Sequence, residues 1–140
     1  MTRLKASDSG TLIWDALASG VHLNSEQICL LTGLTRSQFL NGLEWVKDVF
    51  QEEQIQPISY EHRTHMYFLA EEWRDVRDYS NWTLRGLVTR QMRLSHTLGA
   101  AAAKYPSSGP ARRVKRHSEM LVEDLEDMLR EVSNSHQKAK

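Results

Sequence analysis

NSEQICLLTGLTRSQFLNGLEWV, residues 24–46, predicts two short helices joined by a tight turn. Asn24 is followed three residues later by Gln27, which is the spacing of a capping box, where two residues satisfy each other's backbone N–H groups at a helix start. Thr35 and Gln38 repeat that spacing. The segment therefore contains two helix starts.

Gly33 lies between the two starts and marks the end of the first helix, because glycine adopts the left-handed conformation of a helix end at little cost. We expect helices over about residues 25–32 and about residues 36–50. In the second, apolar residues spaced four, three and four apart predict a buried stripe of Phe39, Leu43, Val46 and Phe50. The opposite face carries Arg36, Ser37, Gln38, Asn41 and Glu44.

A further spacing runs through both helices: a small residue, a glycine four residues later, and apolar residues six and ten beyond that glycine. Cys29, Gly33, Phe39 and Leu43 form it here. In this pattern residues 8–70 resemble winged helix-turn-helix DNA-binding domains, with cysteine where alanine is more usual. The resemblance implies three helices followed by a β-hairpin, with the second helix of the motif in the major groove.

Two ordinary helices of a bundle would also explain the segment, and a hairpin after the second helix distinguishes the interpretations. Residues 55–60, IQPISY, and residues 66–70, MYFLA, predict strands, and EHRTH between them suits a hairpin turn. Pro57 cannot donate to a strand ladder, so it should lie on an edge or near the start of its strand.

The flanking segments complete the first half of the chain. Residues 11–17 contain an apolar stripe that predicts a supporting helix, ending near Gly20. Residues 1–9 are polar and terminal, so we expect them to be loose. Residues 51–54, QEEQ, predict a polar break after the second helix of the motif.

From residue 71 the periodicity becomes helical. A short helix is expected to begin near Trp73, with a new start at Ser80 or Asn81, before a heptad pattern that reaches Tyr105. PSSGP, residues 106–110, breaks the pattern, and a further heptad-patterned helix follows to about residue 132. The fold class is thus mainly α with a small β-hairpin: a winged helix-turn-helix domain, residues 1–70, followed by a two-helix arm, residues 71–140.

The two helices of the arm could pack on each other within one chain or interlock with a second chain. We favour a homodimer, because the apolar stripes are wider than one antiparallel partner needs and the first domain is small. The residues expected at the dimer interface are Leu84, Leu87, Leu94, Leu98, Leu121, Leu125 and Met128.

The formal net charge of the 140 residues is zero, but the charge is unevenly distributed. Residues 1–70 carry −3, residues 74–117 carry +8 and residues 118–140 carry −3. Much of the positive charge lies at the start of the last helix, where it opposes the helix dipole. Either phosphate or the acidic segment of a partner helix would compensate Arg112, Arg113, Lys115 and Arg116.

Composition and motifs argue against several classes of protein. One cysteine excludes an internal disulfide and a cysteine-rich zinc site, and no signal peptide or long apolar run is present, which favours a cytoplasmic protein that does not enter a membrane. His62 and His65 lack nearby ligand partners in the sequence, so no metal is expected. Without a phosphate loop, HExxH or nucleophile elbow, we expect no enzyme and no cofactor.

The resemblance implies a homodimeric transcriptional regulator, and we expect a repressor that binds a palindromic sequence of double-stranded DNA. The residues expected at the DNA are Thr35, Arg36, Ser37, Gln38 and Asn41 of the second helix and His62, Arg63 and His65 of the hairpin tip. Two other functions remain open: a replication or plasmid-maintenance initiator with the same winged module, and a protein–protein adaptor or antirepressor that has lost DNA binding.

Overall fold

The computed structural model describes residues 3–135, which form a mainly helical protein with one two-stranded antiparallel sheet. The chain divides into two compact units, Met1–Val76 and Arg77–Lys140. The elements are α1 (Ala6–Leu17), α2 (Ser25–Thr32), α3 (Arg36–Trp45), a π-helical turn (Val46–Phe50), α4 (Gln51–Gln54), β1 (Ile58–Glu61), β2 (Met66–Leu69), α5 (Trp73–Lys104) and α6 (Gly109–Asn134).

The first unit is built on the crossing of α1 and α3. Gly10 and Gly42 meet there, and Ser9 is 1% exposed because it lies under the same contact. The expectation that residues 1–9 are loose is therefore wrong for Ala6 to Ser9, which are helical; residues 1 and 2 lie outside the described residues. Around this crossing the apolar side chains form one core: Ile13, Trp14, Leu17, Ile28, Leu34, Phe39, Leu43, Val46, Ile58 and Leu69.

The chain remains helical beyond α3, so the predicted polar break at residues 51–54 is wrong. A π-helical turn follows α3, and the next helical turn, α4, is followed by Ile55, whose φ of 50° is left-handed. The π turn lets Phe50 contact two tryptophans: its ring meets Trp14 edge-on at 5.0 Å and stacks on Trp45 at 4.8 Å. Aromatic pairs in such geometries stabilise a core beyond the area that they bury.

The predicted hairpin is confirmed, with shorter strands than expected. β1 pairs with β2 from Ile58 opposite Leu69 to Glu61 opposite Met66. Pro57 immediately precedes β1, as its missing N–H requires, and its carbonyl accepts a hydrogen bond from the Ala70 N–H at 2.8 Å.

A short bridge that the sequence did not predict attaches the hairpin to the segment before α2. The Leu23 N–H donates to the Tyr67 carbonyl at 3.0 Å, and the Tyr67 N–H donates to the Leu23 carbonyl at 2.8 Å. The Tyr67 ring also meets Phe39 edge-on at 5.7 Å. The hairpin is thus held against the segment before α2 and against α3.

The second unit contains α6 and most of α5, which is one continuous helix of 32 residues. The predicted interruption at Ser80 or Asn81 is wrong; the Asn81 side chain instead accepts a hydrogen bond from Ser133 of α6 at 3.1 Å. Gln91, the polar position of the heptad pattern, donates to Ser118 at 2.7 Å. The two helices of the arm therefore contact each other within one chain.

The break between the arm helices is confirmed. α5 ends at Lys104, and Ser108 begins α6 by accepting a hydrogen bond from the Ala111 N–H at 3.2 Å. Pro110 occupies the first turn, where its missing N–H leaves no hydrogen bond unmade. Within residues 3–135, none of the helices combines the length and the apolar character that crossing a lipid bilayer requires.

Candidate nucleic-acid interface

Reciprocal hydrogen bonds begin both helices of the predicted motif. The Asn24 side chain accepts from the Gln27 N–H at 2.8 Å, and the Gln27 side chain accepts from the Asn24 N–H at 2.9 Å. Thr35 and Gln38 form the same pair of bonds, at 3.2 and 2.9 Å. Gly33 has a φ of +74°, and its N–H donates to the Cys29 carbonyl at 2.9 Å. The two capping boxes and the glycine turn are confirmed.

The outward face of α3 carries three of the predicted DNA-binding residues. Arg36, Ser37 and Asn41 are exposed, because Phe39 and Leu43 turn the other side of the helix into the core. Thr35, at the start of the helix, is exposed as well.

Gln38 is placed differently from Arg36, Ser37 and Asn41, the other predicted residues of α3. It is half-buried, and its side-chain oxygen already accepts the hydrogen bond from the Thr35 N–H. An amide that pairs with adenine uses both its oxygen and its nitrogen. The bond at the helix start therefore competes with the base contact predicted for Gln38.

Leu40 was missing from the predicted interface, although it belongs to the same outward face. Its side chain is 45% exposed, four residues after Arg36 and four before Glu44. That spacing could have identified Leu40 as part of the outward face, because residues four apart lie on one side of a helix. An exposed leucine among polar side chains can contact the methyl group of thymine.

An open cleft of about 410 Å³ lies between the starts of α2 and α3 and the hairpin. Arg36 lines it from α3, and His65 lines it from the hairpin tip, so two of the predicted residues are brought together. Tyr60 and Tyr67 form its aromatic wall. The Tyr60 hydroxyl and His65 Nδ1 share a hydrogen bond of 2.9 Å, which orients the imidazole at the edge of the cleft.

The hairpin tip presents its three predicted residues unequally. Arg63 and His65 are exposed, and His65 adopts a left-handed φ of 58°. His62 is half-buried beside the Tyr60 ring, which it meets edge-on at 4.8 Å. Burial, and to a lesser extent the neighbouring His65, lowers the pKa of His62 below its ordinary value of 6.5.

A second cleft, of about 620 Å³, lies on the other side of α3. Asn41 and Glu44 line it from α3, Asp48 lines it from the π-helical turn, and Arg3 and Lys5 line it from the chain before α1. The acidic residues Glu44 and Asp48 therefore have two cations beside them, which the sequence could not place there because the two groups lie far apart in the chain.

In the second unit, the predicted basic cluster surrounds the start of α6. Arg112, Arg113 and Arg116 line a cleft of about 450 Å³ together with Gly109 and His117. Lys115 instead forms an ion pair with Glu119 at 3.6 Å along the same helix.

The predicted dimer residues differ in their accessibility. Leu84 is buried within its own chain and Leu98 and Leu125 are half-buried, whereas four others are exposed: Leu87, Leu94, Leu121 and Met128. Across residues 3–135, no group of three histidine, cysteine, aspartate or glutamate side chains is arranged to hold a metal ion.

Comparisons of the chain with protein-family models, with curated proteins and with solved structures find no match.

Proposed function

We propose that residues 1–70 form a winged helix-turn-helix domain that binds double-stranded DNA, and that the chain is a homodimeric transcriptional regulator, most simply a repressor. The observation that carries this proposal is the cleft shared by Arg36 of α3 and His65 of the hairpin. In winged-helix proteins these two elements contact one stretch of duplex, with the helix in the major groove and the hairpin beside it.

Direct contacts to bases come from the exposed face of α3. An arginine such as Arg36 pairs bidentately with guanine and an asparagine such as Asn41 with adenine, and each such contact discriminates between bases by about 1–3 kcal/mol. Leu40, exposed between them, supplies the apolar contact to thymine. Gln38 contributes to base recognition only if it gives up its bond to the Thr35 N–H.

Contacts to the phosphate backbone come from the start of α3 and from two flanking segments. Thr35 and Ser37 are exposed at the helix start, whose backbone N–H groups favour anions. Arg63 reaches the backbone from the hairpin tip. Glu44 and Asp48 repel phosphates, but Arg3 and Lys5, which line the same cleft on the opposite side of α3, attract phosphates there.

Exposed apolar side chains in the second unit support the proposed dimer. Leu94, Leu121 and Met128 are each close to half exposed in the single chain. Soluble proteins rarely expose such surfaces without a partner. Two copies bound to one palindromic site would double the base contacts of a single copy.

The test selects genomic fragments with the full chain and measures their binding by fluorescence anisotropy. The double variant Arg36→Ala, Asn41→Ala should lose selectivity between the selected and shuffled fragments by at least about tenfold, since two base contacts are removed. Arg74→Ala is a matched control, because Arg74 is an exposed arginine of the same unit that pairs with Glu72. Equal selectivity of the double variant and the parent would disprove the proposed contacts.

One observation favours a second function, that of a protein–protein adaptor. On α2, Leu30 is 85% exposed and Leu31 is 68% exposed, and the first 70 residues carry a charge of −3. Both features suit a protein partner better than a phosphate backbone. Absence of any retardation of mixed genomic fragments at about 50 mM salt would favour the adaptor, because nonspecific attraction to phosphate is strong at low salt.

A further inference from the structure

α6 carries an exposed apolar row along one side. Val114, Leu121 and Met128 are 49%, 46% and 53% exposed and stand seven residues apart. Residues at this interval lie almost directly above one another on a helix. The row therefore forms a straight seam, about 21 Å long at 1.5 Å per residue, that nothing in the single chain covers among the described residues.

The contact of α6 with α5 uses a different side of the helix. Ser118, which is buried and accepts the hydrogen bond from Gln91, lies on that side. Val122 and Leu129, which are half-buried, lie on it as well. The exposed row borders this face, so a second helix could cover the row without displacing α5.

Charged residues follow the other border of the row in an ordered way. Arg113 and His117 precede Leu121, and Asp124 and Glu131 follow it. Steps of four and seven residues keep all four on one side of the helix. Among the described residues, Arg113, Asp124 and Glu131 have no ion pair, whereas Lys115 and Arg130 pair along α6 with Glu119 and Asp127.

We propose that α6 packs antiparallel against α6 of a second copy of this chain, with Leu121 on the twofold axis. Val114 then lies opposite Met128 of the second copy, because both are seven residues from Leu121. His117 falls next to Asp124, which lies at nearly the same distance on the other side of the axis. Arg113 and Glu131 differ by two residues in their distance from the axis, about 3 Å, which an arginine side chain can span.

Charge selects this arrangement over the parallel one. In the antiparallel pair the basic start of each α6 faces the acidic half of the other, so the arginines that oppose the helix dipole gain partners. A parallel pair would bring the two basic starts of α6 together at one end and the two acidic halves together at the other, which is repulsive. The α6 pair names the surface that joins the two copies of the proposed dimer, and its role in DNA binding rests on the proposed function.

The first test places a charge on the axis of the full chain. Leu121→Asp would bring two carboxylates together in the dimer, so sedimentation should give the mass of one chain from about 1 to about 100 μM, where the parent gives two. Because Leu121 is 46% exposed in the single chain, the variant should keep the helix content of the parent. A dimeric, folded Leu121→Asp variant would overturn the proposal, and so would a monomeric parent.

The second test exchanges charges. Arg113→Glu and Glu131→Arg should each weaken association by about tenfold, and the double variant should restore it, since each copy then carries both members of the reversed pair. Arg116→Glu is the control, because it changes the net charge equally on the side of α6 away from the row. A double variant that associates no more tightly than either single variant would refute the antiparallel arrangement.

Association and DNA binding are measured separately, so the two proposals fail separately. A parent that dimerises through Leu121 but does not retard DNA supports the α6 contact and overturns the proposed function. A parent that binds selected DNA yet remains a single chain at about 100 μM without DNA overturns the α6 contact and leaves DNA binding standing.

Discussion

Gly10 and Gly42 lie backbone against backbone where α1 crosses α3. A Cβ atom on Gly42 would stand 2.8 Å from the backbone nitrogen of Gly10 and 2.8 Å from the Cβ of Ser9, closer than real Cβ atoms approach. Phe39 and Leu43, on either side of Gly42, are buried in the core. The crossing therefore determines which side of α3 faces outward, and with it the position of the proposed base contacts.

Gly42→Ala should lower the free energy of unfolding by about 1–3 kcal/mol, because the extra methyl group forces the two backbones apart. Gly99→Ala is the matched control: Gly99 is also within a helix, and a Cβ there meets nothing within 4 Å. Alanine should stabilise that position by up to about 1 kcal/mol, because glycine weakens a helix interior. Chemical denaturation gives both values, and a destabilisation of the same size at both sites would contradict the close approach.

Ile55→Gly should raise the free energy of unfolding by about 0.5–1 kcal/mol. Ile55 is 91% exposed and has a φ of 50°, so the isoleucine side chain is strained there without contributing burial. Glycine removes the strain but loses more backbone entropy on folding, which limits the gain. Ile55→Val keeps the branched Cβ and should leave the stability unchanged, so a similar gain for valine would exclude strain as the cause.

The elements predicted correctly are those whose signals are local. The capping boxes at Asn24 and Thr35, the turn at Gly33 and the break before Ser108 each depend on residues within four positions of one another. Backbone hydrogen bonds at these sites are satisfied by near neighbours, so the pattern can be recognised without the tertiary structure.

The predictions were wrong or incomplete where contacts between residues far apart in the sequence determine the structure. α1 begins at Ala6 because Ser9 and Gly10 pack against α3, and no capping box in the sequence marks that start. Asn81 resembles a helix start, but its side chain bonds to Ser133, 52 residues away. The cleft that Arg3 shares with Asn41 could not be predicted either, because these two residues are far apart in the sequence and only the fold brings them together.

Gln38→Ala should affect stability more than DNA recognition. The substitution removes the acceptor of the Thr35 N–H, which should cost about 0.5–1 kcal/mol of unfolding free energy. Asn41→Ala, on the exposed face, should do the reverse and reduce selectivity for the selected fragments with little loss of stability. Measuring both quantities for both variants checks this contrast; a loss of selectivity for Gln38→Ala equal to that for Asn41→Ala would show that Gln38 leaves the helix start to contact a base.

His62 should make the stability depend on pH. Its pKa is lowered by burial and by His65, so near pH 6 the unfolded chain binds a proton that the folded chain resists. The contribution of neutral His62 is therefore complete above the unfolded value of about 6.5 and is lost as the pH falls towards the lowered pKa. Denaturation midpoints at about pH 7.5 and about pH 5.5 should differ less for His62→Gln than for the parent. If the midpoints of the parent and of His62→Gln shifted equally between the two pH values, another group would be responsible for the pH dependence.

Arg63→Ala tests the hairpin tip as a phosphate contact. Arg63 is exposed beyond the ends of both strands, so its removal should leave the fold intact and weaken binding to every DNA sequence by a similar factor. Since one phosphate contact releases about one counterion, the slope of log affinity against log salt should fall by about one. Arg74→Ala, which removes an exposed arginine already paired with Glu72, should leave the slope unchanged. If instead Arg63→Ala altered the order of preference among sequences and kept the parental slope, the tip would be contacting bases rather than the backbone, and its place beside the groove would have to be revised.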